Sequence, residues 1–60
     1  MNNQLPKDPV MLLSVVNTRL RDYCSNLDAF CENYQIVKEE LVSQLGTIDY
    51  YYDEDSNQFV

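Results

Sequence analysis

The chain has 60 residues, of which 45% are apolar and only one is glycine. This composition predicts one small folded domain over residues 1–60 rather than a disordered tail. Ten acids against four bases give a net charge of −6, which disfavours nucleic acid and anionic membranes as partners, and no apolar stretch approaches the roughly 20 residues that span a bilayer. The absence of a recognisable secretory signal favours a reduced, cytoplasmic protein in which Cys24 and Cys31 are structural thiols.

The first helix is predicted over residues 8–23, after a loose arm over residues 1–7. Asp8 is a typical N-cap residue, and Pro9 suits the first helical position. At about 100° per residue, five apolar side chains fall on one arc that we expect to face the core. These are Leu12, Leu13, Val16, Leu20 and Tyr23. Met11 and Val15 fall outside that arc, and this second apolar flank should meet the C-terminal segment, another subunit or a partner.

A second helix is predicted over residues 26–33, because Ser25 and Asp28 form an S-x-x-D start that resembles a capping box. The expected core positions of this helix are Leu27, Phe30, Cys31 and Tyr34.

A third helix is predicted over residues 38–45. Gly46 follows it in the position that glycine favours after a helix end. Val37 occupies the N-cap position, where it offers no side-chain acceptor.

Residues 27–45 have the spacing of a helix-turn-helix, in which the third helix would read DNA. Its expected inner stripe of Val37, Leu41 and Leu45 turns Glu39 and Glu40 outward. Those carboxylates would face phosphates, and the chain has only four basic residues. We therefore interpret the two helices as a scaffold.

The last segment predicts a β-hairpin over residues 48–60. The strand signal is the alternation of Ile48, Tyr50 and Tyr52 with Asp49, Tyr51 and Asp53, and "DEDS" is typical of a turn. A four-residue loop would place Tyr50 opposite Phe59, and this aromatic face should pack on the helices. The predicted fold class is α+β, mainly α: a three-helix, helix-turn-helix-like bundle with a C-terminal β-hairpin, the outline of a minimal winged helix.

No catalytic, metal-binding or cofactor-binding residue is predicted. The chain has no histidine, and it lacks the Gly-rich loop and the paired nucleophile and base that catalytic sites use. Asp53, Asp55 and Asn57 match the D-x-D-x-N spacing of a calcium-binding EF-hand loop, but Gln58 stands where that loop requires glycine. A polar β-turn explains the same residues.

The runs "LPKDPVMLLSVVNTRLRDYCSNLD" (5–28), "VKEEL" (37–41) and "DYYYDEDSNQF" (49–59) resemble a family of small bacterial proteins known only as a domain of unknown function. The likeness covers essentially the whole chain. It implies a stand-alone small bacterial protein and brings no activity, ligand or functional residue with it.

The predicted function is that of a non-enzymatic, cytoplasmic protein–protein interaction module that self-associates. The candidate interface residues are Met11, Val15 and the outward-facing Tyr51, because methionine and aromatic residues are enriched at interfaces. The expected partner is a second copy or another protein, and no small-molecule substrate is evident. Two alternatives stay open: a winged-helix DNA-binding protein acting as a dimer or with a basic partner, and an acidic inhibitor of a basic protein.

Overall fold

A computed structural model describes residues 5–60 as three helices followed by a two-stranded antiparallel hairpin. The helices are α1 (Pro9–Asp22), α2 (Leu27–Tyr34) and α3 (Lys38–Gly46), and the strands are β1 (Tyr52–Asp53) and β2 (Gln58–Phe59). The predicted fold class, α+β and mainly α, is confirmed. Of the expected N-terminal arm, residues 1–4 lie outside the described residues, and Leu5 is half-buried against the core.

One hydrophobic core joins all three helices to β2. Its buried side chains are Leu12, Val16, Leu20, Cys24, Leu27, Phe30, Cys31, Leu41, Leu45 and Phe59. Phe30 stacks on Tyr34 with the ring centroids 4.6 Å apart. The helical period therefore predicted the core positions of α2 correctly, together with most of those of α1 and α3.

Two residues that the helical period placed in the core are exposed, and both lie at helix ends. Tyr23 is the C-cap of α1 and is 72% exposed, with the Arg19 guanidinium 5.6 Å from its ring centroid. Val37 is the N-cap of α3 and is 53% exposed. Both predictions were wrong because cap residues have non-helical backbone angles, so the 100° period no longer fixes where their side chains point.

The N-termini of the helices differ in how they are capped. The N-cap of α2 is Asn26, whose Oδ1 accepts a hydrogen bond from the Ala29 N–H at 2.8 Å, so the predicted cap at Ser25 was wrong by one residue. Asp8 is the N-cap of α1 as predicted, but its side chain makes no capping hydrogen bond. Val37 caps α3 without a side-chain acceptor, as predicted.

The C-terminal end of α3 lies beyond the predicted stop. Gly46 is the last residue of the helix and has no positive φ. Asp49 instead adopts the left-handed conformation, with a φ of 64°, and the Tyr50 N–H returns to the Leu45 carbonyl at 3.1 Å. Beyond Gly46 the chain therefore continues as hydrogen-bonded turns. Asp49, and not the glycine, is the left-handed residue at which the chain changes direction.

Replacing Gly46 with alanine should raise the free energy of unfolding by about 0.5–1 kcal/mol, because glycine is unfavourable inside a helix. The added Cβ would lie 3.5 Å from Tyr51 Cε1, an ordinary contact. Urea unfolding followed by circular dichroism measures the change. Asp49→Ala is the matched control and should destabilise the fold, since alanine tolerates a positive φ poorly. A destabilised Gly46→Ala would indicate instead that residue 46 needs a positive φ, as predicted for a glycine that follows the helix end.

The hairpin is paired two residues away from the predicted register. Tyr52 lies opposite Phe59 and Asp53 opposite Gln58, so the expected pairing of Tyr50 with Phe59 was wrong. The rings of Tyr52 and Phe59 are 5.6 Å apart on the inner face, whereas Tyr50 is 38% exposed. The aromatic pair that packs on the helices therefore contains Tyr52.

Truncating Phe59 to alanine should lower the free energy of unfolding more than truncating Tyr50 does. Phe59→Ala should destabilise the fold by about 3–5 kcal/mol, because its ring is fully enclosed in the core. Tyr50→Ala should destabilise the fold less, by about 1–2 kcal/mol, because 38% of the Tyr50 surface is already exposed to solvent. Denaturant unfolding of both variants measures the difference, and equal losses would favour the register in which Tyr50 faces the core.

Candidate interaction surfaces

The side-chain amide of Asn17 fixes the hairpin to α1. Its Oδ1 accepts a hydrogen bond from the Phe59 N–H at 2.8 Å, and its Nδ2 donates to the Phe59 carbonyl at 3.1 Å. The amide thus pairs with the outer edge of β2 as the peptide group of a further strand would. Both backbone groups of Phe59 are satisfied although the sheet has only two strands.

Asn57 in the hairpin loop joins the hairpin to the end of α1 and the start of α2. Its Nδ2 donates to the carbonyls of Leu20 and Cys24, at 3.1 and 3.0 Å, and its Oδ1 accepts from the Tyr52 hydroxyl at 2.6 Å. The Tyr52 hydroxyl accepts from the Leu27 N–H at 3.2 Å. The Leu20 carbonyl and the Leu27 N–H are helix-end groups that need partners outside their own helix. The loop therefore acts as a cap for two helices at once.

Sequence reasoning missed the structural role of Asn17, Tyr52 and Asn57. In the sequence, Asn57 was notable only as a possible oxygen ligand in an EF-hand-like spacing. Its side chain instead hydrogen-bonds to Tyr52, Leu20 and Cys24. Asp53, the last residue of β1, accepts a hydrogen bond from the Ser56 hydroxyl at 2.7 Å. Over residues 5–60, no three potential metal ligands come together. An asparagine between apolar residues of a helix, as at position 17, is the signal that could have suggested a buried amide contact.

Asn57→Asp should destabilise the fold by about 2–3 kcal/mol, since a carboxylate cannot donate to the Leu20 and Cys24 carbonyls and leaves both without their partner. Asn26→Asp is the matched control, because the side chain of Asn26 only accepts a hydrogen bond at a helix N-terminus, which aspartate does equally well. Denaturant unfolding at neutral pH compares the two variants. Equal stability of both would mean that the Asn57 amide does not hold the hairpin.

The solvent side of α1 carries no charged residue along residues 9–18. We call this surface the α1 outer face, and it consists of Val10, Met11, Ser14, Val15 and Thr18. Met11 is 59% exposed and Val15 is half-buried. An exposed helix face normally carries charged side chains, and depletion of charge is typical of the centre of an interface.

Tyr51 lies on a different surface from Met11 and Val15. The hairpin is bound at Asn17, which is about 120° around α1 from Met11 and about 160° from Val15. Tyr51 is 55% exposed and exchanges two backbone hydrogen bonds of 2.9 Å with Val60. The structure therefore keeps Met11 and Val15 on the α1 outer face and places Tyr51 on the hairpin.

The helix pair with helix-turn-helix spacing, α2 and α3, is acidic at the start of its second helix. Gln35 adopts the left-handed conformation at the turn, with a φ of 56°. Glu39 and Glu40 are exposed in the first turn of α3, as predicted. The Lys38 ammonium lies 3.1 Å from Asp28 Oδ1, and the hydrogen bond to that carboxylate raises the pKa of Lys38. The basic residue of α3 is thus paired within the chain.

The two cysteines are free and buried. Burial raises the pKa of the Cys31 thiol, and the nearby Asp28 carboxylate raises it further. Cys24 Sγ accepts a weak hydrogen bond from Asn33 Nδ2 at 3.9 Å. A buried thiol with a raised pKa is protonated at neutral pH and is a poor nucleophile. Both side chains serve packing.

A family model described as Domain of unknown function (DUF4250) matches residues 6–59, and the chain belongs to this family. No curated protein and no solved structure shows significant similarity to the chain. None of the helices between residues 5 and 60 is long and apolar enough to cross a membrane.

Proposed function

We propose that this member of the DUF4250 family is a non-enzymatic, cytoplasmic bacterial interaction module that self-associates through the α1 outer face. The observation that carries the proposal is the uncharged stretch over residues 9–18, which covers nearly three helical turns. The chain has fourteen charged side chains, yet this exposed surface has none and presents Met11 and Val10 instead. The two buried free thiols fit a reducing compartment.

The size of the domain gives self-association a physical benefit. A chain of about 60 residues buries only about 60% of the surface that its unfolded form exposes, so a subunit contact adds apolar burial that the single core lacks. Ser14 and Thr18 are short side chains between the apolar residues of the face. They allow two helices to approach to the usual interaxial distance of about 8–10 Å.

Light scattering on a size-exclusion column, at several protein concentrations, tests the proposal. The wild-type protein should approach twice its chain mass of 7.1 kDa as concentration rises. Met11→Lys should raise the dimer dissociation constant by at least about tenfold, because the ammonium would be desolvated at the contact. Val37→Lys is the matched control, since it adds the same charge at another exposed apolar residue outside the face.

Three results would contradict the proposal. The first is a wild-type mass that stays at one chain at every concentration. The second is a dimer that survives both Met11→Lys and Val15→Lys, which would locate the contact elsewhere. The third is retention on duplex DNA that weakens steeply with salt, which would favour the winged-helix DNA-binding alternative.

A further inference from the structure

We propose that the outer side of the hairpin is a second docking surface, and that its occupant is a basic segment of another protein that also carries apolar side chains. We call this surface the hairpin outer face. It consists of Tyr51, Asp53, Gln58 and Val60, the residues that alternate with the inward-facing Tyr52 and Phe59. Tyr51 and Val60 lie opposite each other and are 55% and 57% exposed.

Hydrogen bonds between the hairpin and α1 keep the hairpin outer face exposed to solvent. Phe59 is fixed to Asn17 by two hydrogen bonds, and Asn57 is fixed to the end of α1. The hairpin therefore cannot turn its exposed aromatic residue toward the core without losing these bonds. A surface that is already rigid loses little conformational entropy when a partner binds.

The charge of the chain is concentrated on the part that carries this face. All four basic residues lie in residues 1–38, where four acids balance them, so the whole net charge of −6 belongs to residues 39–60. The acids of that part are Glu39, Glu40, Asp49, Asp53, Glu54 and Asp55. Asp53 is a member of the hairpin outer face, and Glu54 and Asp55 follow it in the exposed loop. The apolar pair of Tyr51 and Val60 thus shares its face with the Asp53 carboxylate, whereas Glu54 lies near the Lys38 ammonium.

The negative charge near the hairpin outer face favours one kind of binding partner over the others. A second copy of the chain would bring the same carboxylates, and nucleic acid would bring phosphates, so both would be repelled. A lysine-rich or arginine-rich segment would be attracted to the face and could place a cation over the Tyr51 ring. Apolar side chains of the same segment would cover Val60. The occupant therefore differs from that of the α1 outer face, which is uncharged and suits a second copy.

Fluorescence anisotropy with two synthetic peptides tests the inference. One labelled peptide alternates lysine and leucine, and the other alternates lysine and serine, so that the two differ only in apolar content. The wild-type protein should bind the lysine–leucine peptide more tightly, with an affinity that falls as salt increases. Tyr51→Ser should weaken this binding at least about tenfold and remove the preference between the peptides.

Matched variants separate this surface from general acidity and from self-association. Asp53→Asn should weaken binding and reduce its salt dependence, whereas Glu32→Gln removes an exposed acid of α2 and should leave both unchanged. Met11→Lys should bind as the wild type does, because it alters only the α1 outer face. The inference is overturned if the wild type binds neither peptide at low salt. It is equally overturned if Tyr51→Ser binds normally, or if Glu32→Gln loses as much affinity as Asp53→Asn.

Discussion

The structure depends on two asparagine side chains that take the place of missing backbone partners. A hairpin with two residues in each strand cannot stand alone in water, and its strand edge needs hydrogen bonds that no third strand provides. Asn17 satisfies that edge from within α1, and Asn57 satisfies helix-end carbonyls from within the hairpin loop. Each element therefore supplies the polar partner that the other lacks, while Phe59 closes the core between them.

Hydrophobic periodicity predicted the helices well because most apolar residues within them obey one simple repeat. Leu12, Val16 and Leu20 are buried where the repeat places them. The predictions failed where the backbone leaves that repeat, as at Tyr23 and Val37, and where position is set by contacts distant in sequence. The hairpin register depends on such distant contacts. The alternation of residues 48–52 fits more than one strand pairing, and hydrogen bonds to α1 fix the observed pairing.

The candidate surfaces were predictable to different degrees. Met11 and Val15 were identified from the helical wheel alone, because an apolar residue outside the core arc needs no tertiary information to be noticed. Tyr51 was predicted to face outward on the hairpin, and it does. Its separation from Met11 depends on which flank of α1 the hairpin occupies, and that follows from the orientation of the Asn17 amide. The uneven distribution of charge is visible in the sequence, but its relation to an exposed sheet face is not.

The pairing of Asn17 with Phe59 also constrains how the chain folds. The two residues are 42 positions apart in a chain of 60, whereas the helices form from local contacts. Closing such a long loop lowers the chain entropy before the hydrogen bonds between Asn17 and Phe59 can form. The hairpin should therefore join the structure late in folding. Until it does, the Leu20 carbonyl near the end of α1 and the Leu27 N–H at the start of α2 lack the partners that the hairpin supplies. Folding intermediates that lack the docked hairpin are therefore poorly stabilised, and the domain should fold cooperatively, with a transition state in which the helices are already partly assembled.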